Sequence, residues 1–202
     1  MRYFLFTAFS VLMVSSVMGQ STKNEIGFTA FYDRVNHSYI KFKGLTKEHL
    51  LYKNAFSFQA VYGCHISNTV SLLSGAGYSR RGFRNENTDY SADYIQFSEY
   101  VGIEIIDNKM LMVSPYTGIY LGLPVHTGIT IKNNDLPDEA GRGKADLGLE
   151  GGIRMGIKLD DRYDIHIIPR FQFGLSEVYR KYDFESRRNL AFSMGVGITR
   201  KF

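Results

Sequence analysis

From Asn24 onward the apolar residues recur at every second position, the period of a strand whose successive side chains point to opposite faces. The clearest stretch runs from Lys144 to Asp160. There Leu147, Leu149, Ile153, Met155, Ile157 and Leu159 share one face, and Asp146, Gly148, Glu150, Gly152, Arg154, Gly156 and Lys158 share the other. The last segment behaves alike, with Leu190, Phe192, Met194, Val196, Ile198 and Phe202 opposite Ala191, Ser193, Gly195, Gly197, Thr199 and Lys201. Helical spacing is hard to find. The same test predicts strands over 24–32, 54–66, 69–81, 91–106, 109–124, 144–160, 162–177 and 188–202.

The connections alternate in length. Short turns fall at Ser67-Asn68, Asp107-Asn108 and Asp160-Asp161, with the Asn and Asp that tight hairpins favour. Longer polar loops are expected near 33–53, 82–90, 125–143 and 178–187. Hairpin-linked strands, even in number, with short turns at one end and long loops at the other, predict an all-β, eight-stranded antiparallel up-and-down transmembrane β-barrel. Most segments reach the roughly 9 to 11 residues that a tilted strand needs to cross a bilayer. Closure is required in hydrocarbon, where an open edge would leave backbone donors and acceptors without partners.

Residue size says which face looks out. The polar face carries Gly75, Gly77, Gly118, Gly122, Gly148, Gly152, Gly156, Gly195 and Gly197, and an eight-stranded lumen is only wide enough for packed side chains. Glycine therefore belongs inside and the bulky apolar row outside. Charges on the inner face must then pair. A turn at Asp160-Asp161 would place Glu150 beside Arg170 and Arg154 beside His166, with Glu104 and Asp146 on the same face. These six form the expected lumen charge network, read as a structural plug of salt bridges, with a proton or ion pathway as the alternative.

Aromatic residues at strand ends, Tyr32, Tyr62, Tyr78 and Phe171, suit the interfacial girdles of such a barrel. Three positions resist the pattern. Glu99 falls on the apolar face with Ile95, Phe97, Val101 and Ile103, which calls for a bulge or a place nearer the interface. Pro115 and Pro169 interrupt strands and call for a bulge or an unpaired, edge-like position.

Residues 1–19 read as a separate unit. Met1-Arg2 precedes an apolar run from Tyr3 to Val14, and Val17 and Gly19 are small residues placed for cleavage before Gln20. This is the pattern of a secretory leader, leaving 20–202 as the barrel domain. A hydrophobic share of 44% excludes disorder, and the single Cys excludes an internal disulfide or a thiolate zinc site. A net charge of +4 is too mild to call for nucleic acid.

Chemistry is sparse. The histidines, at 37, 49, 65, 126 and 166, do not share a strand at metal-site spacing, and no cofactor is expected. His37 and His49 could meet on a loop, but solvated loop histidines are the plainer reading. Asp135, Asp138 and Glu139 do not follow calcium-loop spacing. Cys64 reads as a small lipid-facing hydrophobe. A lipid A-modifying barrel enzyme would need a His, a Ser and an acid at its rim. His126 follows Pro124 with Thr127 beside it, but no Ser sits two residues away and spacing supplies no acid, so no enzymatic activity is expected. Arg34, Lys41, Lys43, Lys47 and Lys53 outnumber Asp33 and Glu48 in the first long loop, which favours solubility or lipopolysaccharide phosphates.

The ending Ile198-Thr199-Arg200-Lys201-Phe202 is similar to the carboxy-terminal signal by which outer-membrane barrels are recognised for assembly, with Phe202 as its terminal aromatic. Residues 24–202 resemble the PorT-like group of outer-membrane β-barrel domain proteins common in Bacteroidetes. The matching pieces are Tyr94-Ile95-Gln96-Phe97, Ser114-Pro115-Tyr116-Thr117-Gly118, the glycine-spaced Asp146 to Gly156, and Pro169-Arg170-Phe171-Gln172-Phe173-Gly174-Leu175. The resemblance implies a barrel in the outer membrane with both termini in the periplasm, and accessory work in protein secretion as one possible role. The expected role is structural or interactive, with a filled lumen and external loops that contact partners. Expected partners are outer-membrane lipids and lipopolysaccharide, the barrel assembly machinery and secretion-system proteins; the barrel is expected to be a monomer.

Overall fold

The computed structural model describes residues 24–42, 50–85, 88–108, 110–131, 143–181 and 185–202. The leader expected over 1–19 lies outside these residues, as do His49, Lys43, Lys47, Glu48, Asp135, Asp138 and Glu139. Among the described residues the strands are β1 (Asn24–Phe42), β2 (Lys53–His65), β3 (Val70–Arg84), β4 (Thr88–Ile103), β5 (Ile106–Asp107), β6 (Leu111–Ile131), β7 (Asp146–Lys158), β8 (Tyr163–Gly174), β9 (Tyr179–Lys181) and β10 (Glu185–Lys201). Each long strand pairs antiparallel with its neighbour, and β1 closes on β10 from Glu25↔Lys201 to Phe42↔Glu185. The short β5 adds to β6 and β9 to β10. The result is a closed, eight-stranded antiparallel barrel, in which the β1–β10 pairing leaves no open edge through the apolar belt.

The faces follow the alternation. Phe28 on β1, Phe97 on β4, Leu149 and Ile153 on β7, Ile167 on β8 and Val196 on β10 are exposed on the outer wall. Glu25, Gln59, Gln96, Glu150, Arg154, Arg170 and Gln172 are buried in the lumen. Rings gather at the outer rim, where Tyr32 meets Phe56 at 5.6 Å, Phe58 meets Tyr78 at 5.5 Å and Phe171 meets Phe192 at 4.8 Å. Cys64 has outward parity but is buried, being 3% exposed, so it is not a freely exposed lipid-facing thiol.

Several expectations need correction. The strands run past the apolar belt into the expected loops: β1 continues from 33 to 42, and β6 from 125 to 131. Beyond Tyr32 the outer face turns polar at the exposed Arg34, so the outward hydrophobic alternation stops while the hydrogen-bond ladder goes on. The β7–β8 register also differs by two residues. Glu150 lies opposite Gln172, Gly152 opposite Arg170 and Gly156 opposite His166. The turn sets this, because Asp160 Oδ1 accepts from the backbone N–H groups of Arg162 and Tyr163, both at 2.7 Å, and centres the hairpin between 159 and 163.

Glu99 keeps its outward place without a bulge. The β3–β4 register is continuous from Val70↔Ile103 to Arg84↔Asp89, and the β4–β6 shift lies at Asp93/Tyr94, opposite Val125. Pro115 falls just past the last β4–β6 pair, Gly102↔Tyr116, where no ladder donor is needed. Pro169 sits where the β7–β8 ladder is interrupted, between Gly152↔Arg170 and Met155↔Ile167.

Candidate functional site

The lumen carries its charges in three tiers. At the end where Asn24, Phe202 and the short turns meet, Arg154 Nη1 donates to Glu25 Oε1 at 2.6 Å. His65 lies between two carboxylates, 3.6 Å from Glu25 and 3.2 Å from Glu104. Glu104 itself sits one residue past β4, anchored by its backbone N–H to the Thr69 carbonyl at 2.7 Å. His166 faces Asp164 at 3.2 Å and Thr29 at 3.2 Å, rather than Arg154, as the two-residue register difference explains. This tier opens into a concavity of about 1230 Å³, lined in part by His65, Glu104, Asp107, Lys158, Asp164 and Lys201.

The middle tier centres on Arg170. Its guanidinium lies 3.3 Å from Asp33, 3.0 Å from Ser57 and 3.7 Å from Glu150, and stacks 3.6 Å from the centre of the Phe31 ring. Gly195 makes room for that ring, since a Cβ there would lie 2.5 Å from it. Gln172 donates to Glu150 and accepts from Arg81, which joins the middle tier to the next.

The loop-end tier holds Asp146, which accepts from Tyr120 Oη at 3.0 Å and Asn189 Nδ2 at 2.8 Å. Above it Arg187 lies 4.9 Å from the Tyr39 ring and 4.5 Å from the Phe83 ring, and His37 packs 4.7 Å from Phe83. Burial, then the positive charge of Arg187, pushes His37 down to about 3, so the imidazole is neutral at ordinary pH.

All six expected network residues thus point inward, but they do not form one direct cluster. Glu150 and Arg170 meet diagonally; Glu104 and Arg154 connect through His65 and Glu25; Asp146 belongs to a separate tier. Sequence reasoning missed Glu25, Asp33, His65, Arg81, Asp164 and Gln172. Inward parity marks each of them, but only barrel closure shows their partners, as with Glu25 and Arg154 at a separation of 129 residues. Small voids in the packed lumen include one of about 40 Å³ beside Glu25 and Arg154 and one of about 10 Å³ beside Ser57 and Arg170. These hold at most a few water molecules.

Among the described residues no three His, Cys, Asp or Glu side chains converge as a metal site. His126 lies on the outer wall opposite Asp93, an acid that spacing did not reveal. That carboxylate is gripped by Arg80 through two hydrogen bonds of 2.6 and 3.1 Å. Phe202 exchanges backbone hydrogen bonds with Asn24 at 3.0 and 2.9 Å, and its ring is exposed at the turn end.

A closed eight-stranded wall with an apolar exterior and a charged, filled interior defines the outer-membrane type of barrel. Comparison with solved structures agrees at the level of fold. OprG from Pseudomonas aeruginosa superposes with a TM-score of 0.54 at 9% identity, covering 91% of this chain and 97% of that one. Neisserial surface protein A gives 0.52 at 15%, covering 89% and 97%, and a major outer-membrane protein of Thermus thermophilus gives 0.52 at 11%, covering 89% and 99%. No family model matches the sequence, and no curated protein matches it.

Proposed function

We propose that this chain is a monomeric integral outer-membrane protein with a structural or interactive role and no enzymatic activity. The strands would cross the bilayer with both termini in the periplasm, and the extended hairpins at the other end would present the contact surface. The observation that carries this is the buried run of charged side chains from Glu104 to Asp146 inside an apolar wall. A soluble barrel would have no use for a greasy exterior, and a diffusion pore would not fill its own lumen. Outer-membrane lipid, lipopolysaccharide and the barrel assembly machinery are the partners this role requires.

The test joins location to permeability. The protein should extract with outer membranes, migrate anomalously until boiled, and leave liposomes closed to small sugars. A soluble periplasmic product, or swelling at the rate of a general porin, would contradict the proposal. Work as a PorT-like accessory to secretion is the finer form of the same role, supported by the sequence resemblance; co-purification of secretion components with the full chain tests it.

A further inference from the structure

The outer wall has one feature that an inert lipid-facing surface does not need. Between β2 and β6 lies a groove of about 410 Å³, floored by Ala60, Ser74 and Ala76 and walled in part by Phe97 and Ile119, with Glu99 beside its floor. Ala60 pairs with Ala76, and Ser74 pairs with Glu99, so the floor is two adjacent cross-strand pairs of short or polar residues. Glu99 stands midway along the outward row Ile95, Phe97, Glu99, Val101 and Ile103. Among the described residues its carboxyl has one partner, the Ser74 hydroxyl, which donates to Oε2 at 2.7 Å.

Three features narrow the occupant. A few hundred Å³ with apolar walls and one or two placed polar groups is the make-up of a small-molecule site. The shape is concave, so a second copy of this chain docked through the same face would set two hollows and two carboxyls against each other. The polar group lies at mid-height of the apolar belt, where an ionisable side chain marks a functional contact by default. An alcohol suits it best. A hydroxyl donates to a carboxylate and accepts from a carboxylic acid, so the match holds in either protonation state, and it reaches mid-bilayer without carrying a charge there.

Building on the membrane-inserted reading above, we propose that this groove binds a lipophilic alcohol, a long apolar molecule whose hydroxyl sits at mid-chain depth and hydrogen-bonds Glu99. The molecule would enter sideways from the bilayer, and its apolar body would lie on Ala60 and Ala76 against Phe97 and Ile119.

The absence of tryptophan allows a direct test. Ile26→Trp places a reporter at the groove's edge, and Val196→Trp places one on the plain outer face of β10, where Val196 is exposed. Each variant is refolded in phosphatidylcholine vesicles and checked by heat-modifiable migration. The quenchers are a C18 chain with a mid-chain hydroxyl beside two bromines, and the same brominated chain without the hydroxyl. The hydroxylated chain should quench the groove reporter at about five-fold lower mole fraction, the worth of one net hydrogen bond, and both should quench the Val196 reporter alike. Glu99→Leu should abolish the preference and Glu99→Gln should keep it. Equal quenching by both chains at the groove overturns the proposal. So does a groove reporter that neither chain reaches while the other reporter is quenched, because a second copy of this chain then covers the face. Failure of both chains at the Val196 reporter would instead remove the hydrocarbon-facing wall itself.

Discussion

Replacing Arg154 by methionine would keep much of the side-chain volume while removing the cation that faces Glu25. Both residues are buried, at 6% and 1% exposure, and their closest approach is 2.6 Å. Charges about 4 Å apart at an effective dielectric of about 20 attract by about 4 kcal/mol, and breaking a buried pair by deleting one partner costs about 3–5 kcal/mol. His65 still lies 3.6 Å from Glu25 and can carry a proton toward it, which moderates the loss. The expected destabilisation is about 3 kcal/mol, read from urea titration in vesicles with the unboiled gel shift as the measure of folding. Adding Glu25→Gln should restore about 1–2 kcal/mol, because the orphaned charge is then gone. Arg84→Ala, which breaks an exposed pair with Asp89, should cost under about 1 kcal/mol. If Arg154→Met costs no more than Arg84→Ala and Glu25→Gln restores nothing, water screens the pair and the lumen is not a packed plug.

Two further outcomes follow from the packing. His37 has its folded value at about 3 against an ordinary 6.5, so the unfolded chain binds the extra proton between those values and stability falls as pH drops through that window. The contribution is complete above about pH 6.5 and its loss reaches about 5 kcal/mol near pH 3; an NMR titration showing His37 protonating near 6.5 in the folded barrel would refute this. Gly195→Val should cost about 1–3 kcal/mol, because its Cβ meets the Phe31 ring that carries Arg170. A neutral result in the same urea titration would mean that the ring and its guanidinium are free to move.

Much of the wall was legible in the sequence because alternation fixes the face of every strand residue. Leu149 and Ile153 look outward while Glu150 and Arg154 look inward, whatever the register. The β7–β8 offset shows why partners were harder. A slip of two residues preserves parity, so the hydrophobic pattern cannot detect it; hydrogen bonds around Asp160 decide it instead. Contacts across the lumen, such as Arg170 with Asp33, depend on closure and stagger that no single strand records. The strand extensions beyond Tyr32 and Val125 were missed because the apolar residues change faces there: Val35 is buried inside while Arg34 faces out, and the bulge at Val125 puts Ile129 on the inner face against Tyr90.

The most direct measurement is the accessibility of spin labels placed one at a time at Leu149, Ile153 and Gly148 in a bilayer-inserted barrel. The first two positions are 48% and 42% exposed on the outer wall, while Gly148 is buried toward Tyr120. Labels at Leu149 and Ile153 should collide freely with oxygen dissolved in the hydrocarbon and scarcely with a water-soluble nickel chelate, and a label at Gly148 should be tightly immobilised. Strong nickel broadening at Leu149 and Ile153, with an oxygen-rich surrounding at Gly148, would show that the wall has been assigned to the wrong solvent.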